Sequence, residues 1–549
     1  MLFNELVRVF DELSKTSKRI EMANILSAFF KKLPCDELGF IVLLCMGKIF
    51  PHNSEKEMGI ANNLMAEAIA LASGSTKETV KKQWNIYGDI GETAKKFMKS
   101  KKQSSLVNEE LSINELKNVL QKIPGTSGKG SSAIKLKLVS KLLSMTTPLG
   151  AMYLTRILIG SMRTGVGQGV VRDALAKAFN AEPSNIETAY NLCADYSKVA
   201  KNLCENPELI KNPKISIFNP INMMLFLKAD SIGKAFERVG KPARIEIKYD
   251  GLRAQVHKDG EKIMIFTRNL DSITAQFPDA VSAIKKSVNA TKIIFECEIV
   301  GFSPGMNKPL PFQYLSKRIK RKYDIEKSAK EIPVKLFCFD LLLLESKEYL
   351  NEKFIDRHEA LKKSINENEA VMLAKGITTS NESDAEKLFN EGIKEQEGVM
   401  FKSLIANYKA GSRVGYGVKL KTHMKELDLV ITEAFFGKGR RKDWFGSYTL
   451  SCINLDNEEF LTIGKLGTGF SDEQLKEMNE LVKKAIIKEE SDKVILKPKI
   501  VVEVEYEEIQ KSPTYKSGYA LRFPRLLRIR HDKTPKEASD LEMIKELKG

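Results

Sequence analysis

The chain contains 549 residues, and this length predicts three or four domains of about 150 residues each. Lysine and arginine outnumber aspartate and glutamate by 88 to 71, and the formal net charge of +17 at pH 7 favours a polyanionic partner, most simply nucleic acid. The 42% of hydrophobic and 29% of charged residues exclude a largely disordered chain. No uncharged apolar run approaches about 18 residues, so we expect no membrane span. Acidic residues within the first apolar run argue against a secretory signal.

The seven cysteines are odd in number, scattered along the chain and never spaced as CxxC. We therefore expect neither a disulfide scaffold nor a cysteine zinc ribbon, and a reducing, cytoplasmic environment suits such a sequence. The five histidines show no spacing typical of metal ligands.

Residues 1–215 are expected to form an all-helical domain, because apolar side chains such as Leu6 and Phe10 recur at helical spacing. Further helices are predicted over Ile134–Leu143 and Val170–Phe179.

Two glycine clusters, Gly125–Ser132 and Gly165–Gly169, precede these two helices. Neither has the spacing of a P-loop or of the dinucleotide-binding fingerprint, so we expect no ATP site there. The clusters are interpreted as turns between helices, with contact between helix N-termini and DNA phosphates as the alternative. Nearby basic residues favour that alternative, namely Lys129, Lys135, Lys137, Arg156, Arg163 and Arg172.

From Arg244 onwards apolar residues alternate with period two, which predicts strands and an α+β domain over residues 216–425. The pair Asp259-Gly260 between two alternating runs is a strong hairpin signal. Further strands are predicted over Lys292–Val300 and Val334–Leu344. The helices predicted between strands are Asp279–Val288, Arg357–Ser364 and Asp384–Gly392.

Residues 426–549 carry short strand patterns with one helix, Asp472–Ile487, among them. The predicted strands are Leu429–Ala434, Ser447–Ile453, Phe460–Ile463, Ile500–Tyr506 and Leu521–Arg525. This arrangement predicts a small closed β-barrel of the OB-fold kind.

Several charged and aromatic residues stand at strand ends in the α+β region. Lys248 ends a strand, with Glu246 two residues earlier on the same face, so the lysine can point into a pocket. The alternative is a solvated hairpin in which Lys248 pairs with Asp250. Further elements follow in order: Thr267–Asn269, Phe295–Ile299, Leu336–Asp340, Glu397–Lys402, Lys419–Lys421 and Arg522–Lys533.

These elements, in this order, resemble the motifs of covalent nucleotidyltransferases, which include ATP-dependent DNA ligases, RNA ligases and mRNA capping enzymes. In the helical region, Tyr87–Gly91, Gly125–Ser132 and Arg156–Gly167 resemble the DNA-binding domain of replicative archaeal and eukaryotic DNA ligases. The resemblance covers nearly the whole chain. It implies a multidomain protein with an all-α DNA-binding domain, an α+β adenylation domain and an OB-fold β-barrel. The implied activity is ATP-dependent nick sealing during DNA replication, repair and recombination.

The resemblance also implies three phosphoryl transfers that use ATP as cosubstrate and Mg²⁺. Lys248 attacks the α-phosphate of ATP, and lysyl-AMP forms as pyrophosphate leaves. The AMP moves to the 5′-phosphate of the nick, and the 3′-hydroxyl then displaces it. Attack requires the neutral amine, which neighbouring cations and a metal favour.

Roles in nucleotide binding follow from the same resemblance. Arg253 is expected at the ribose or the 5′-phosphate terminus, and Arg268 at a phosphate or ribose. Phe339 would stack on adenine, with packing in an apolar strand as the alternative. The backbone by Glu246 would read the adenine edge.

The remaining roles concern phosphates and metal. Arg413 and Lys419 would face the α-phosphate, and Lys421 would neutralise charge in the transition state. Glu298 would bind the ribose or a water on Mg²⁺. Glu397 would help to hold the metal, with a simple turn residue as the alternative.

Two further groups have positioning roles. Asp250 would orient Lys248 or its turn rather than bind metal. Arg530, Asp532 and Lys533 would swing over the ATP site and orient the departing pyrophosphate, with a surface patch for DNA as the alternative. Lys402 is interpreted as an ordinary charge at a strand end.

The sequence departs from the family pattern at two places. Gly417 stands where these ligases usually have tryptophan, and Glu296-Cys297 stands where aspartate-glycine usually precedes Glu298.

Rival interpretations are a GTP-using capping enzyme or RNA ligase, and a non-catalytic basic scaffold for nucleic acid. The expected partner is nicked double-stranded DNA, and the protein is expected to be a monomer. A sliding clamp is a possible partner through residues 101–106, although a solvated linker is the simpler interpretation of that segment.

Overall fold

A computed structural model describes the chain except for residues 52, 53, 55, 101–109, 127, 129, 306, 307, 320, 322, 422–424, 438–443, 491 and 549, and except for the side chains of Glu395 and Lys425. The segment 101–106 and Lys129 therefore lie outside the described residues. The chain divides into two compact units, Met1–Lys421 and Thr422–Gly549. In the described part of the chain, no helix combines the length and apolar character needed to cross a membrane.

The first part of the Met1–Lys421 unit is helical, as predicted. Its helices are α1 Phe3–Ser14, α2 Arg19–Phe30, α3 Cys35–Cys45, α4 Asn62–Ser73, α5 Lys77–Tyr87, α6 Ile90–Lys99, α7 Ile113–Lys122, α8 Ser131–Ser144, α9 Pro148–Leu158, α10 Gln168–Phe179, α11 Pro183–Cys193 and α12 Tyr196–Glu205. Apolar residues of these helices share one buried core, in which Leu6 and Phe10 are fully buried. Gly167 occupies the N-cap of α10, so the second glycine cluster opens that helix as predicted.

A disulfide joins Cys35 of α3 to Cys204 of α12 across a sequence separation of 169 residues, with 5.6 Å between the Cα atoms. The two helices pack closely beside it, because a Cβ atom on Gly39 would lie 2.6 Å from the carbonyl oxygen of Ser197. The sequence did not predict this single bridge, since neither cysteine count nor local spacing reports helix packing. The other five cysteines are buried and unbridged.

The remainder of this unit is built on two sheets with helices between their strands. Its strands are β1 Leu225–Lys228, β2 Ala243–Lys248, β3 Leu252–Asp259, β4 Lys262–Thr267, β5 Lys292–Gly301, β6 Val334–Leu344, β7 Lys347–Glu348, β8 Val371–Leu373, β9 Gly376–Thr379, β10 Gly398–Ser403 and β11 Arg413–Lys421. Its helices are α13 Ile232–Val239, α14 Pro278–Ser287, α15 Phe312–Ile319, α16 Ile325–Glu331, α17 Phe354–Ser364 and α18 Glu382–Glu395. One sheet has the strand order β1-β11-β10-β2-β9, and the other has β4-β3-β5-β6-β7 with β8 beside β6.

The turn after Lys248 passes from one sheet to the other, because β2 belongs to the first sheet and β3 to the second. The alternative of a hairpin at this turn is therefore wrong. A Cβ atom on Gly251 would lie 2.5 Å from the carbonyl oxygen of Ile299, so the crossover requires glycine there. The hairpin predicted at Asp259-Gly260 is confirmed, since β3 and β4 pair antiparallel around it and Gly260 has a φ of 56°.

The Thr422–Gly549 unit is rich in strands and has its own apolar core. Its elements are β12 Lys425–Phe436, β13 Phe445–Asn454, β14 Glu459–Leu466, α19 Asp472–Ala485, β15 Ile486–Glu489, β16 Lys493–Tyr506, β17 Glu508–Lys511, β18 Tyr519–Arg522, β19 Arg525–Ile529 and α20 Leu541–Lys548. The main sheet runs β14-β13-β12-β16-β15 with β19 beside β16, and β17 pairs with β18.

One predicted strand of this unit is wrong. Leu521–Arg525 is divided between β18 and β19, because Phe523 has a φ of 49° and Pro524 has no N–H to donate to a neighbouring strand. The predicted helix Asp472–Ile487 ends at Ala485, and Ile486 already begins β15.

Candidate active site

Strand register brings Lys248, Lys421 and Glu397 together. Gly398, the first residue of β10, lies opposite Lys248 of β2 on one side and Lys421 of β11 on the other. Glu397 immediately precedes Gly398, and one oxygen of its carboxylate contacts Lys248 Nζ and lies 2.7 Å from Lys421 Nζ. Gly398 has a φ of 132°, and a Cβ atom there would lie 2.3 Å from the carbonyl oxygen of Leu420. The backbone therefore requires glycine at position 398, directly after the carboxylate of Glu397.

The carboxylate of Glu397 stays ionised in this setting. Burial raises its pKa, but the charges of Lys248 and Lys421 outweigh burial and lower the pKa to about 2. Glu397 is thus an acidic bridge between two lysines, which excludes the interpretation as a simple turn residue.

Further cations lie around Lys419, which is on β11 together with Lys421. Burial lowers the pKa of Lys419, and the positive charges around it lower the pKa further. These charges belong to Lys421, Lys248, Arg268 and Arg413. The structure therefore gathers the basic residues predicted to face phosphates into one region of the Met1–Lys421 unit.

Glu298 lies on β5, opposite Arg253 of β3. Burial raises the pKa of Glu298 to about 8, although the charges of Lys248 and Arg253 oppose that rise. Among the described residues, no group of three or more His, Cys, Asp or Glu side chains could hold a metal ion. Glu298 and Glu397 nevertheless place two carboxylates near Lys248. Such a pair fits Mg²⁺, because proteins often bind this ion through one or two carboxylates together with substrate phosphates.

Arg253 is held from two directions. One guanidinium nitrogen lies 2.7 Å from Glu296 Oε2, and another donates to the carbonyl oxygen of Met224 at 2.7 Å. Glu296 is fully buried, and its other oxygen accepts a hydrogen bond of 2.9 Å from Tyr408 Oη. The departure from the family pattern at Glu296 thus supplies the carboxylate that orients Arg253.

Phe339 and Glu246 both contact Lys402, which was predicted to be an ordinary charge at a strand end. Phe339 falls at a register shift between β5 and β6, and bulges of this kind re-aim side chains beside active sites. Lys402 Nζ lies 2.6 Å from Glu246 Oε2 and donates to the carbonyl oxygen of Phe339 at 3.1 Å. Glu246 pairs with Met400 and Gly376 on its two sides, so its backbone takes part in the sheet. The sequence signal for Lys402 was weak, because a lysine in an apolar strand usually points to solvent.

Two other expectations are refined by contacts. At Gly417 a Cβ atom would lie 2.4 Å from the ring of Phe226, so this ring, which belongs to β1, fills the space beside the glycine.

Asp250 Oδ2 accepts a hydrogen bond of 3.2 Å from the N–H of Phe312, and the N–H of Asp250 donates to Gln396 Oε1 at 2.8 Å. Asp250 therefore ties the turn after Lys248 to the start of α15.

Comparisons with known proteins agree across the chain. Residues 223–421 match the family described as ATP dependent DNA ligase domain, residues 2–176 match DNA ligase N terminus, and residues 441–533 match ATP dependent DNA ligase C terminal region. A curated DNA ligase of Nanoarchaeum equitans is 40% identical, with 100% of this chain and 98% of that protein covered. The chain belongs to the ATP-dependent DNA ligase family.

Other archaeal relatives support the same family. A DNA ligase of Archaeoglobus fulgidus is 37% identical and one of Thermococcus fumicolans is 36% identical, each covering 100% of this chain and 98% of the relative. A solved structure described as Pmar-Lig_PreS3 is 17% identical and aligns with a TM-score of 0.59 over 96% of this chain and 99% of that one. That likeness concerns the fold. Membership makes this protein a nick-sealing DNA ligase that uses ATP and a divalent metal such as Mg²⁺.

In the helical region of this ligase, Arg156 is buried and paired with an acidic residue. It is 8% exposed, and its guanidinium lies 2.7 Å from Asp89 Oδ2. Asp89 also pairs with the exposed Arg163 at 3.2 Å and caps α6. Arg172 is paired as well, with Asp173 and Glu187. Arg156 therefore lends little support to the alternative of DNA contact at the glycine clusters, because it is held by an acidic residue 67 positions away in the sequence.

The basic residues near the end of this ligase take part in an ion-pair network within the Thr422–Gly549 unit. Arg530 lies 3.0 Å from Asp428, 3.4 Å from Glu503 and 2.7 Å from Asp532. Lys533 lies 2.6 Å from Asp428. The hydrogen bond from Arg530 is the main cause of the lowered pKa of Asp532. These contacts fix the predicted residues Arg530, Asp532 and Lys533 side by side in their own unit.

Proposed function

We propose that this protein seals nicked duplex DNA through lysyl-AMP and DNA-adenylate intermediates, with Lys248 as the nucleophile. The contact of Glu397 with both Lys248 and Lys421 is the observation that supports this assignment best. It holds the nucleophile at a strand end, beside the cations that the phosphates of ATP need.

In the first step Lys248 Nζ forms a bond to the α-phosphorus of ATP while the bond to pyrophosphate breaks. Lys419 and Lys421 supply positive charge that stabilises the charge developing on the phosphoryl oxygens. Arg413 extends the same charge along β11. The lysyl phosphoramidate keeps the AMP transferable to the 5′-phosphate of the nick, from which the 3′-hydroxyl then displaces it.

Recognition of the nucleoside is assigned to the other strand ends. Phe339 stacks on adenine. The adenine edge, which the sequence assigned to the backbone by Glu246, is assigned here to the Glu246 carboxylate, because the backbone of Glu246 takes part in strand pairing on both sides. Arg253, oriented by Glu296, contacts the ribose or the 5′-phosphate terminus. Arg268 contacts a phosphate or ribose.

Glu298 and Glu397 would hold Mg²⁺, which when bound neutralises charge on the phosphates. Asp250 is assigned to positioning, because it links the turn of Lys248 to α15.

The remaining proposals concern domains and partners. Residues 1–215 grip duplex DNA, residues 216–425 carry adenylation, and residues 426–549 form a closed OB-fold barrel. We further propose a monomer that acts in the cytoplasm. Binding to a sliding clamp through residues 101–106 stays a prediction, with a solvated linker as the simpler interpretation of that segment.

A sealing assay tests the function directly. With ATP and Mg²⁺, the protein should convert a DNA nick with a 3′-hydroxyl and a 5′-phosphate into a continuous strand, releasing AMP and pyrophosphate. A nick in duplex RNA serves as the comparison substrate. Sealing of RNA but not DNA would favour an RNA ligase, and the absence of any sealing with both substrates would refute the proposal.

The raised pKa of Glu298 predicts that Mg²⁺ binding depends on pH. The carboxyl group is largely protonated below its pKa of about 8, and the metal needs the ionised form. Apparent Mg²⁺ affinity should therefore rise from about pH 6.5 to about pH 8 and level off above that range. Calorimetric Mg²⁺ titration in the presence of ATP measures this affinity in two proteins. One is Lys248→Ala, which forms no adenylate, and the other is the double variant Lys248→Ala, Glu298→Gln. The same pH slope in Lys248→Ala alone and in the double variant would exclude Glu298 as its origin.

A further inference from the structure

Lys402 is a buried cation that none of the chemical steps above uses. It lies near the end of β10, opposite Arg244 of β2, and is only 5% exposed. Lysine is almost never buried this deeply unless its charge is paired. The position therefore calls for an explanation beyond a strand-end charge.

The ammonium group of Lys402 joins two residues assigned to the adenine. It lies 2.6 Å from Glu246 Oε2 and donates a hydrogen bond of 3.1 Å to the carbonyl oxygen of Phe339. It also lies 4.8 Å from the centre of the Phe339 ring. One side chain on the first sheet thus contacts a residue of its own sheet and a residue of the opposite sheet.

Glu246 lies between two cations, of which Lys402 is one. The residue is 2% exposed, and its other oxygen lies 3.3 Å from Arg244 Nε. A buried carboxylate flanked by two cations is an acceptor-only group, since it carries no proton to donate. Such a group accepts a hydrogen bond from the 6-amino group of adenine and offers none to the 6-oxo group of guanine.

We propose that Lys402 is a positioning residue that makes the site specific for 6-amino purine nucleotides. By holding Glu246 and Phe339 with one ammonium group, it fixes the group that reads the edge of the base relative to the ring that stacks on its face. This inference rests on the proposed function, which assigns Glu246 and Phe339 to adenine.

The test compares two triphosphates that differ only at position 6 of the purine. ATP carries the amino group, and purine riboside triphosphate carries hydrogen there. For each we measure the KM and maximal rate of self-adenylation, and the Kd by calorimetry without Mg²⁺. The variants are Lys402→Met and Lys402→Arg. The matched control is Lys258→Met, which removes a lysine of β3 that is 8% exposed and donates to the carbonyl oxygen of Ala290.

Lys402→Met should raise the KM and Kd for ATP about ten- to a hundredfold, the size expected for a charged hydrogen-bonding partner. The same constants for purine riboside triphosphate should change by less than about threefold, and the maximal rate by only a few-fold. Lys402→Arg should restore most of the ATP affinity, because it keeps a cation between the two residues. Lys258→Met should leave both nucleotides unaffected.

Equal weakening of both triphosphates by Lys402→Met would overturn the inference, as would the same selective loss in Lys258→Met. If Lys402→Met does not show a cooperative melting transition, Lys402→Gln takes its place in the same comparison. A wild-type protein that binds ATP but forms no AMP adduct would refute the proposed function instead. The Kd values would still decide the role of Lys402 in that case.

Discussion

Replacing Lys248 with alanine should abolish the AMP adduct completely while a pre-adenylated nick is still sealed at a substantial rate. The amine of Lys248 is required only to form lysyl-AMP and to pass the AMP on to the 5′-phosphate of the nick. A nick that already bears AMP needs only the final displacement by the 3′-hydroxyl, which uses the surrounding cations. The measurement is the amount of protein-bound radiolabel from ATP beside gel analysis of the pre-adenylated substrate.

A suitable control is Lys262→Ala, because this lysine of β4 is exposed and its ammonium lies over the ring of Phe218. The control should form the adduct and seal both substrates normally. Retention of the adduct in Lys248→Ala would show that another residue is the nucleophile.

The second large effect is expected for the double variant Arg530→Ala, Lys533→Ala. Self-adenylation should fall about a hundredfold or more, the scale expected when groups that stabilise a developing charge are removed. Pyrophosphate leaves only in the first step, so positive charge that orients it assists that step alone. Sealing of a pre-adenylated nick should therefore stay within a few-fold of the wild-type rate, as measured by single-turnover kinetics.

The matched control for this variant is Arg528→Ala, Lys536→Ala, which removes the same charge from exposed positions nearby. Melting curves are needed for both proteins, because Arg530 and Lys533 compensate the half-buried Asp428. Equal losses in both assays would assign Arg530 and Lys533 to DNA contact and would exclude the pyrophosphate role.

The sequence predicted the elements of the site better than their connections. Period-two alternation located β5 and β6 closely, because each strand keeps one face in an apolar core. It could not reveal that β2 and β3 belong to different sheets, since local alternation is the same in either case. The pairing of strands distant in sequence is what places Glu397 between Lys248 and Lys421.

The sequence also could not predict several ion pairs and other contacts. Arg156 and Lys402 carry charges that suggest solvent or DNA, yet both are buried against carboxylates far away in the chain. The pairing of Cys35 with Cys204 depends in the same way on which helices pack together. At Gly417, the compensating ring comes from Phe226, nearly two hundred positions away along the chain in the same sheet. Tertiary packing decides each of these contacts, and no local pattern encodes it.

The most direct test of the account is the intact mass of the wild-type protein after incubation with ATP and Mg²⁺ in the absence of DNA. We expect the mass of one adenylate to be added, to map to the peptide that contains Lys248, and to be lost when nicked DNA is supplied. An unchanged mass, or an adenylate on a different residue, would contradict the assignment of Lys248 as the nucleophile.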